Sequence, residues 1–352
     1  MLNIRPFKEK DNKTLLDIEK MCPQGNKECE MVIDKGPDIT ARYKLYDNWE
    51  IRVAEIEGEA VGWIGWTLKG NEDDRYFYIA EVLVHPDHRR KGIAVQLIRE
   101  AEKVAQEAKA SHIYCYAYGP NEAFLKLCEK LGYIQEKEIQ ITSMSAYKKE
   151  HSEREYDLER IDPKELPEAV KLINQYYNGR AHFTPFTTSS FKVYVNSVLG
   201  YGLENFLVAK WRDKIVACGG FWDSSVLMEM AYTKEPMMWK VMANAYGILR
   251  HFTSMPKIPT EGEVFKFHSV VDHAFDPEHE LAMEEILNYC NNLMFDTKCE
   301  FFGVYTDPDD PLLKVTKKFK PLKGSMYLYA KPISSKVPDL SSMYIDCRDT
   351  IL

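Results

Sequence analysis

The chain has 352 residues, of which 45% are hydrophobic and 28% charged, with a net charge of −8 and a pI near 5.7. That length suits two domains or one large one, and the composition is that of a folded globular chain rather than a disordered one. The acidic balance offers no basic field for a phosphate backbone, which disfavours nucleic acid as a partner.

Met1 to Lys20 is too charged for a signal peptide, and no apolar run approaches the ~20 residues that cross a bilayer, so no membrane partner is expected. The eight cysteines stand at positions 22, 29, 115, 128, 218, 290, 299 and 347, without a CxxC pair. Such scatter reads as reduced thiols packed as small hydrophobes, in a cytoplasmic protein.

In chain order, a short strand (Leu2, Ile4) leads into a helix carrying Leu15, Leu16 and Ile18. Ile51 to Glu57 and Ala60 to Leu68 form a hairpin around Glu57-Gly58-Glu59. Tyr76 to Val84 is a third strand. The helix after it places Ala94, Leu97, Ile98, Ala101, Val104, Ala105 and Ala108 at a period of about 3.6. Ile113 to Tyr118 reads as a strand, Asn121 to Leu131 as a helix and Ile139 to Ser143 as a closing strand. Tyr147 to Arg154 is polar and aperiodic, a linker.

The same grammar then returns. Val53-Ala54-Glu55 and Gly58 to Val61 answer to Val208-Ala209-Lys210 and Asp213 to Val216. Tyr118-Gly119-Pro120-Asn121 answers to Thr306-Asp307-Pro308-Asp309, with insertions between, around Met255 to Glu263. Two matched segments in one order indicate a duplicated fold. Lys331 to Leu352 reads as an extended tail.

The chemistry concentrates in Glu81 to Ala94. A strand ends at Val84, a turn holds Pro86, and a basic loop with Arg89, Arg90, Lys91 and Gly92 opens a helix at Ile93 and Ala94. A helix N-terminus presents unpaired N–H groups and the positive end of the macrodipole, a site for phosphate. Gly92 admits close approach and positive φ. Basic side chains at a helix start oppose the dipole, and a bound pyrophosphate would supply the reason for them. On these residues alone, a solvated basic loop remains an equal alternative.

Val84-x-Pro86-x-x-Arg89-x-x-Gly92-x-Ala94 resembles the acetyl-CoA-binding motif of the GNAT superfamily of N-acetyltransferases. Asn121 to Cys128, continuing to Gly132-Tyr133, resembles that family's second motif, an Asn-initiated helix. The resemblance covers about residues 1–148 by motif and 153–333 by fold grammar. It implies an α/β (α+β) fold: two tandem GNAT folds, each a mixed, mostly antiparallel twisted sheet flanked by helices. The divisions expected are a catalytic domain at 1–148, a linker at 149–154, a second domain at 155–333 and a tail at 334–352. The plan is similar to that of mycothiol synthase and related two-domain acyltransferases.

Acetyl-CoA is then the implied acyl donor, with no metal. Val82, Leu83 and Val84 are placed by the resemblance along the pantetheine arm, with an N–H facing the thioester oxygen. Arg89, Arg90, Lys91, Gly92, Ile93 and Ala94 would hold the pyrophosphate, and Asn121 would touch the pantetheine. Direct attack by an amine needs a proton acceptor, for which Glu81 stands at the family's position; its alternative is an outward strand carboxylate. The departing thiolate can use a donor. Cys128 stands where the family usually has Tyr; a thiol of pKa ~8.5 can donate, but a buried helical cysteine also packs. Tyr118 is the rival donor.

The second copy's loop, Asp276-Pro277-Glu278-His279-Glu280, has no glycine and sets three carboxylates where phosphates would lie, so it should not hold CoA. His268, Asp272, His273, Asp276 and His279 match no tight metal-ligand spacing. The second domain should buttress the first and wall its acceptor pocket. That pocket is expected between Cys22 and Asp38, with Trp66, Tyr76 and Tyr78 as candidate walls. The acceptor is a small-molecule or protein amine, and the assembly state, monomer or homodimer, is open. The competing classes are a non-catalytic acyl-CoA-binding sensor and an aminoacyl-tRNA-dependent transferase, the latter disfavoured by charge.

Overall fold

The computed structural model describes residues 1–72, 74–119, 121–146, 148–151, 155–235, 237, 240, 241, 243, 259–299, 301–334 and 338–351. In the first half the elements are β1 (Leu2–Pro6), α1 (Asn12–Lys20), β2 (Gln24–Gly25), β3 (Glu30–Asp34), β4 (Trp49–Ile56), β5 (Glu59–Gly70), β6 (Arg75–Val84), α2 (Ile93–Glu107), β7 (His112–Tyr118), α3 (Glu122–Lys130) and β8 (Ile134–Ser145). The second half opens with β9 (Asp157–Arg160), α4 (Leu166–Tyr176), α5 (Thr188–Ser197), β10 (Phe206–Trp211) and β11 (Lys214–Asp223). It continues through β12 (Glu229–Lys234), β13 (Val264–Phe265), β14 (Phe267–Phe275), α6 (Glu280–Thr297), β15 (Phe301–Thr306), α7 (Leu312–Val315) and β16 (Leu322–Pro332).

Local chemistry explains the boundaries. Glu57 and Gly58 both take positive φ, 54° and 89°, the left-handed pair that a two-residue hairpin between β4 and β5 requires. Helix α2 buries Ile93, Leu97, Ile98, Ala101 and Ala105, a stripe at three- and four-residue spacing.

Twelve strands form one sheet in the order β1-β4-β5-β6-β7-β16-β8-β15-β14-β11-β10-β9. Neighbours are antiparallel except β6–β7 and β14–β15. The sheet is therefore mixed and mostly antiparallel, as expected. One feature was not legible in the pattern. β16, the last strand of the second half, lies between β7 and β8 of the first (Leu328 opposite Tyr116 and Lys137). In return β8 pairs with β15, Phe302 opposite Met144. Each half closes with a strand that completes the other.

A second sheet, β13-β12-β3-β2, also joins the halves, with Ile33 opposite Met230. Residues 338–351 do not trail into solvent. They turn back over the first half, end in a 3-10 turn at Cys347–Thr350 and bury Tyr344, Asp346, Cys347, Asp349 and Ile351. In the expected linker, Lys148 O accepts from Asn291 Nδ2 (2.8 Å) and Glu150 N donates to Asn292 Oδ1 (2.8 Å); residues 147 and 152–154 lie outside the described residues, as do 255–258 of the expected insertion. Among the described residues, no helix is long and apolar enough to cross a membrane.

Candidate active site

β6 and β7 run together only from Phe77–Ile113 to Ile79–Cys115, then part. Past the fork, Val82, Leu83 and Val84 still pair with Ile64, Trp63 and Gly62 of β5, and among the described residues no strand pairs their other edge. Ile79 faces Trp66 and Glu81 faces Gly65, which leaves Ala80 as the extra residue of a bulge. A bulge turns the strand at that point. The fork, α1, the segment from Cys22 to Lys35 and the starts of α2 and α3 enclose a cleft of about 640 Å³. Tyr78 to Val84 runs along it for about 20 Å at strand rise.

At the Val84 end the cleft meets the N-terminus of α2. Gly92 is the N-cap, at φ 80°, and the first helical bond runs from Gln96 N to Gly92 O (3.1 Å). The N–H groups of Ile93, Ala94 and Val95 precede that bond, so no carbonyl within the helix accepts from them. A Cβ on Gly92 would meet nothing within 4 Å, so it would stand in open space. Arg89, Arg90, Gly92, Ile93 and Ala94 line it, and Arg89 Nε donates to Val84 O (3.2 Å). The groups present fit a diphosphate: free N–H donors, a helix dipole and guanidinium charge. Lys91 is not among the lining residues; its Nζ donates to Asp87 O (3.0 Å).

Asn121 lines the cleft and caps α3, its Oδ1 accepting from Phe124 N (3.3 Å). Tyr118 also lines it, and burial raises its phenol pKa, so the hydroxyl stays protonated and can donate. Cys128 is elsewhere. Its side chain is buried in the core under α3, with Sγ 3.8 Å from Cys115 Sγ, and it is not among the residues that line the cleft. Of the expected acceptor walls, Tyr78 lines the cleft, whereas Trp66 packs on Phe77 and Tyr76 stacks on His182.

Glu81 also lines the cleft, but within a buried ladder of charge. Its Oε1 meets Lys35 Nζ at 2.5 Å and also the Arg42 guanidinium, while Oε2 accepts from Tyr43 OH (3.2 Å). Tyr43 reaches it because residue 65 is glycine: a Cβ there would lie 2.0 Å from the hydroxyl. Burial alone would raise the Glu81 pKa, yet Lys35 and Arg42 outweigh it and hold the carboxyl below its ordinary value. Lys35 Nζ lies equally 2.5 Å from Glu19 Oε1. Sequence reading missed Glu19, Arg42 and His88, whereas Cys22 and Lys35 lie in the stretch expected at the acceptor pocket. For Glu19 a signal existed: it stands four residues after Leu15 and three after Leu16, a carboxylate on the buried stripe of α1.

The second half repeats the plan and fills it. β14 and β15 pair from Phe267–Phe301 to Ser269–Gly303 and then part. Gly220 gives room to Tyr201, whose hydroxyl donates to Asp272 (3.0 Å), the counterpart of Gly65, Tyr43 and Glu81. Here no cation among the described residues answers. Tyr344 OH from the returning tail donates to Asp272 (2.6 Å), and burial raises the Asp272 pKa. The space lined by Val271, Asp272, Thr306, Met343 and Cys347 is about 20 Å³. At the start of α6, Asp276 Oδ1 accepts from Glu278 N (3.0 Å) and Glu280 pairs with Lys314 (2.6 Å). Among the described residues no group of three His, Cys, Asp or Glu side chains is placed to hold a metal ion.

Comparison with known proteins agrees with this geometry. Residues 14–133 match the Acetyltransferase (GNAT) family. The acetyltransferase plu1384 of Photorhabdus laumondii is 29% identical over 132 residues, 38% of this chain and 86% of that protein. The mycothiol acetyltransferase of Amycolatopsis mediterranei is 32% identical over 96 residues, 27% of this chain and only 30% of that protein's length. Over the whole fold, a tandem GNAT protein from the clavulanic acid biosynthesis pathway superposes with TM-score 0.56 at 13% identity, covering 96% of this chain and all of that one (100%). The first half of the chain is a GNAT acetyltransferase-family domain. The second half repeats that fold, an arrangement similar to that of the tandem GNAT protein.

Proposed function

We propose that the protein transfers an acetyl group from acetyl-CoA to an amine by direct attack on the thioester. The observation that carries this is the fork of β6 and β7 opening onto the glycine-capped N-terminus of α2. On this reading the diphosphate lies against the N–H groups of Ile93 to Val95 with Arg89 and Arg90 at its rim. The pantetheine arm pairs with the free edge of Val82 to Val84, as an added strand would. A free N–H on that edge faces the thioester oxygen and stabilises it as charge develops. Asn121 and Tyr118 flank the arm from β7 and α3, and Tyr118 is the donor available to the departing thiolate. The acceptor approaches from the end holding Tyr78 and Glu81, where Met326, Asp349 and Ile351 of the second half complete the wall.

The test is release of free thiol from acetyl-CoA across a panel of small amines and peptide N-termini, beside calorimetric titration with CoA. Acceptor-dependent thiol release and one CoA per chain are expected. Binding without turnover on any amine would instead favour a sensor, and two equivalent sites would contradict the filled second half.

A further inference from the structure

The ladder beside the acceptor end is unfinished at both termini, Arg42 Nε and Glu19 Oε2, and of the two residues Glu19 alone lines the cleft and can accept a proton. Arg42, Glu81, Lys35 and Glu19 alternate in sign and are all buried, their side chains 2%, 6%, 3% and 5% exposed. Glu81 is bonded at both oxygens. Glu19 is bonded at Oε1 only; its Oε2 is buried and has no partner. Leaving such an oxygen without a donor costs about 1–3 kcal/mol, more for a charged group. Glu19 also lines the same cleft as Glu81.

We propose that Glu19 is the subsite for the acceptor's ammonium group and takes its proton, with Lys35 and Glu81 holding it in place. This rests on the acyl-transfer reading above. An ammonium N–H supplies the donor that Oε2 lacks. The proton passes from nitrogen to Oε2, the freed lone pair attacks the thioester carbon, the C–N bond forms, and the C–S bond breaks. The departing thiolate takes the Tyr118 hydroxyl proton and leaves as thiol, and the second nitrogen proton restores the phenol. Glu81 is the poorer acceptor because two cations and a phenol already neutralise it.

Titration agrees with this geometry. Burial pushes the Glu19 carboxyl up, to about 7, against the pull of Lys35 and with the charge of Glu81 behind it. The charged or titratable groups around it are Lys20 on its own helix, Cys22 after it, Lys35 beyond β3, Arg42 before β4, and Glu81 on β6. A base so placed is ionised only above neutrality, so kcat/KM should fall on the acid side.

The experiment measures kcat/KM against pH for the best amine of the panel, in the parent, Glu19→Gln and Glu81→Gln, with CoA affinity measured alongside. Glu19→Gln should lose about 10²-fold or more together with the acid limb, at unchanged CoA affinity. Glu81→Gln removes a repelling charge from Glu19, so its limb should persist and move to lower pH. That second variant decides the matter even where Glu19→Gln fails to fold. A limb retained in Glu19→Gln, or abolished in Glu81→Gln, overturns the proposal and leaves the acyl-transfer reading standing. A parent without turnover on any amine sinks that reading, and this proposal with it.

Discussion

Gly92 meets two demands at one backbone position. It caps α2 at φ 80°, where a Cβ is strained by roughly 1–2 kcal/mol, and it lines the cleft. Gly92→Val should therefore weaken CoA by about a hundredfold or more, the equivalent of losing one or two charge-assisted hydrogen bonds. Calorimetry reads the affinity, and circular dichroism should show the fold retained. Cys128 makes the opposite case. With its thiol against Cys115 and away from the cleft, Cys128→Ala should cost about 1 kcal/mol of stability and leave turnover per folded molecule intact, as a denaturant midpoint and a rate measurement together reveal. The basic loop and Asn121 were legible in the sequence because loop and cap chemistry is local. The charged ladder was not, because Glu19, Lys35, Arg42 and Glu81 come from four separate segments that only the folded sheet brings together.

Single elements divide along the same line. Strands and helices with a clear period fall where the pattern puts them: the β4–β5 hairpin, β6, α2, β7 and α3. β2 and β3 were missed because both are short and β3, on which β2 pairs, finds its other partner, β12, some two hundred residues away. The packing of the tail was not legible because nothing local marks its purpose. Its carboxylates are bound only after it returns: Lys69 Nζ reaches Asp346 and Asp349 (2.8 Å each), and the hydroxyls of Tyr46 and Tyr114 also bond Asp349 (2.8 Å each). Breaking one side of a buried ion cluster is severe. Lys69→Met should lower stability by roughly 3–5 kcal/mol, read as a shift in the denaturation midpoint, whereas replacing exposed Lys126, paired only with Glu122, should change little.

Taken whole, the molecule carries a pH liability where its halves meet. His112 of β7 and His182 of the second half approach Nε2 to Nε2 at 2.9 Å, stacked with Tyr76. Burial lowers the His112 pKa to about 4 and drives that of His182 well down, His112 adding to the effect. The unfolded chain, with histidines near 6.5, then binds more protons than the folded one. Stability is complete above about pH 6.5 and is lost as pH falls toward 4, by on the order of 3 kcal/mol for His112 alone. Urea titrations at pH 7, 6, 5 and 4 should trace that slope, and the double substitution His112→Phe with His182→Phe should flatten it.

The crossed closing strands also set a timetable for synthesis. When β8 leaves the ribosome, the gap beside β7 is still empty, and the strand that fills it lies roughly 190 residues further along the chain. At 5–20 residues per second, that is an interval of about 10–40 s. Throughout it, the first half carries its glycine-capped loop on a sheet open at β7, while β8 has no strand of its own half to pair with. Unpaired edges of this kind invite pairing with other chains. A nascent chain of this protein thus owns the sequence of its cleft well before it owns the cleft, and its yield in the cell should depend on keeping those strands from other chains until the last one arrives.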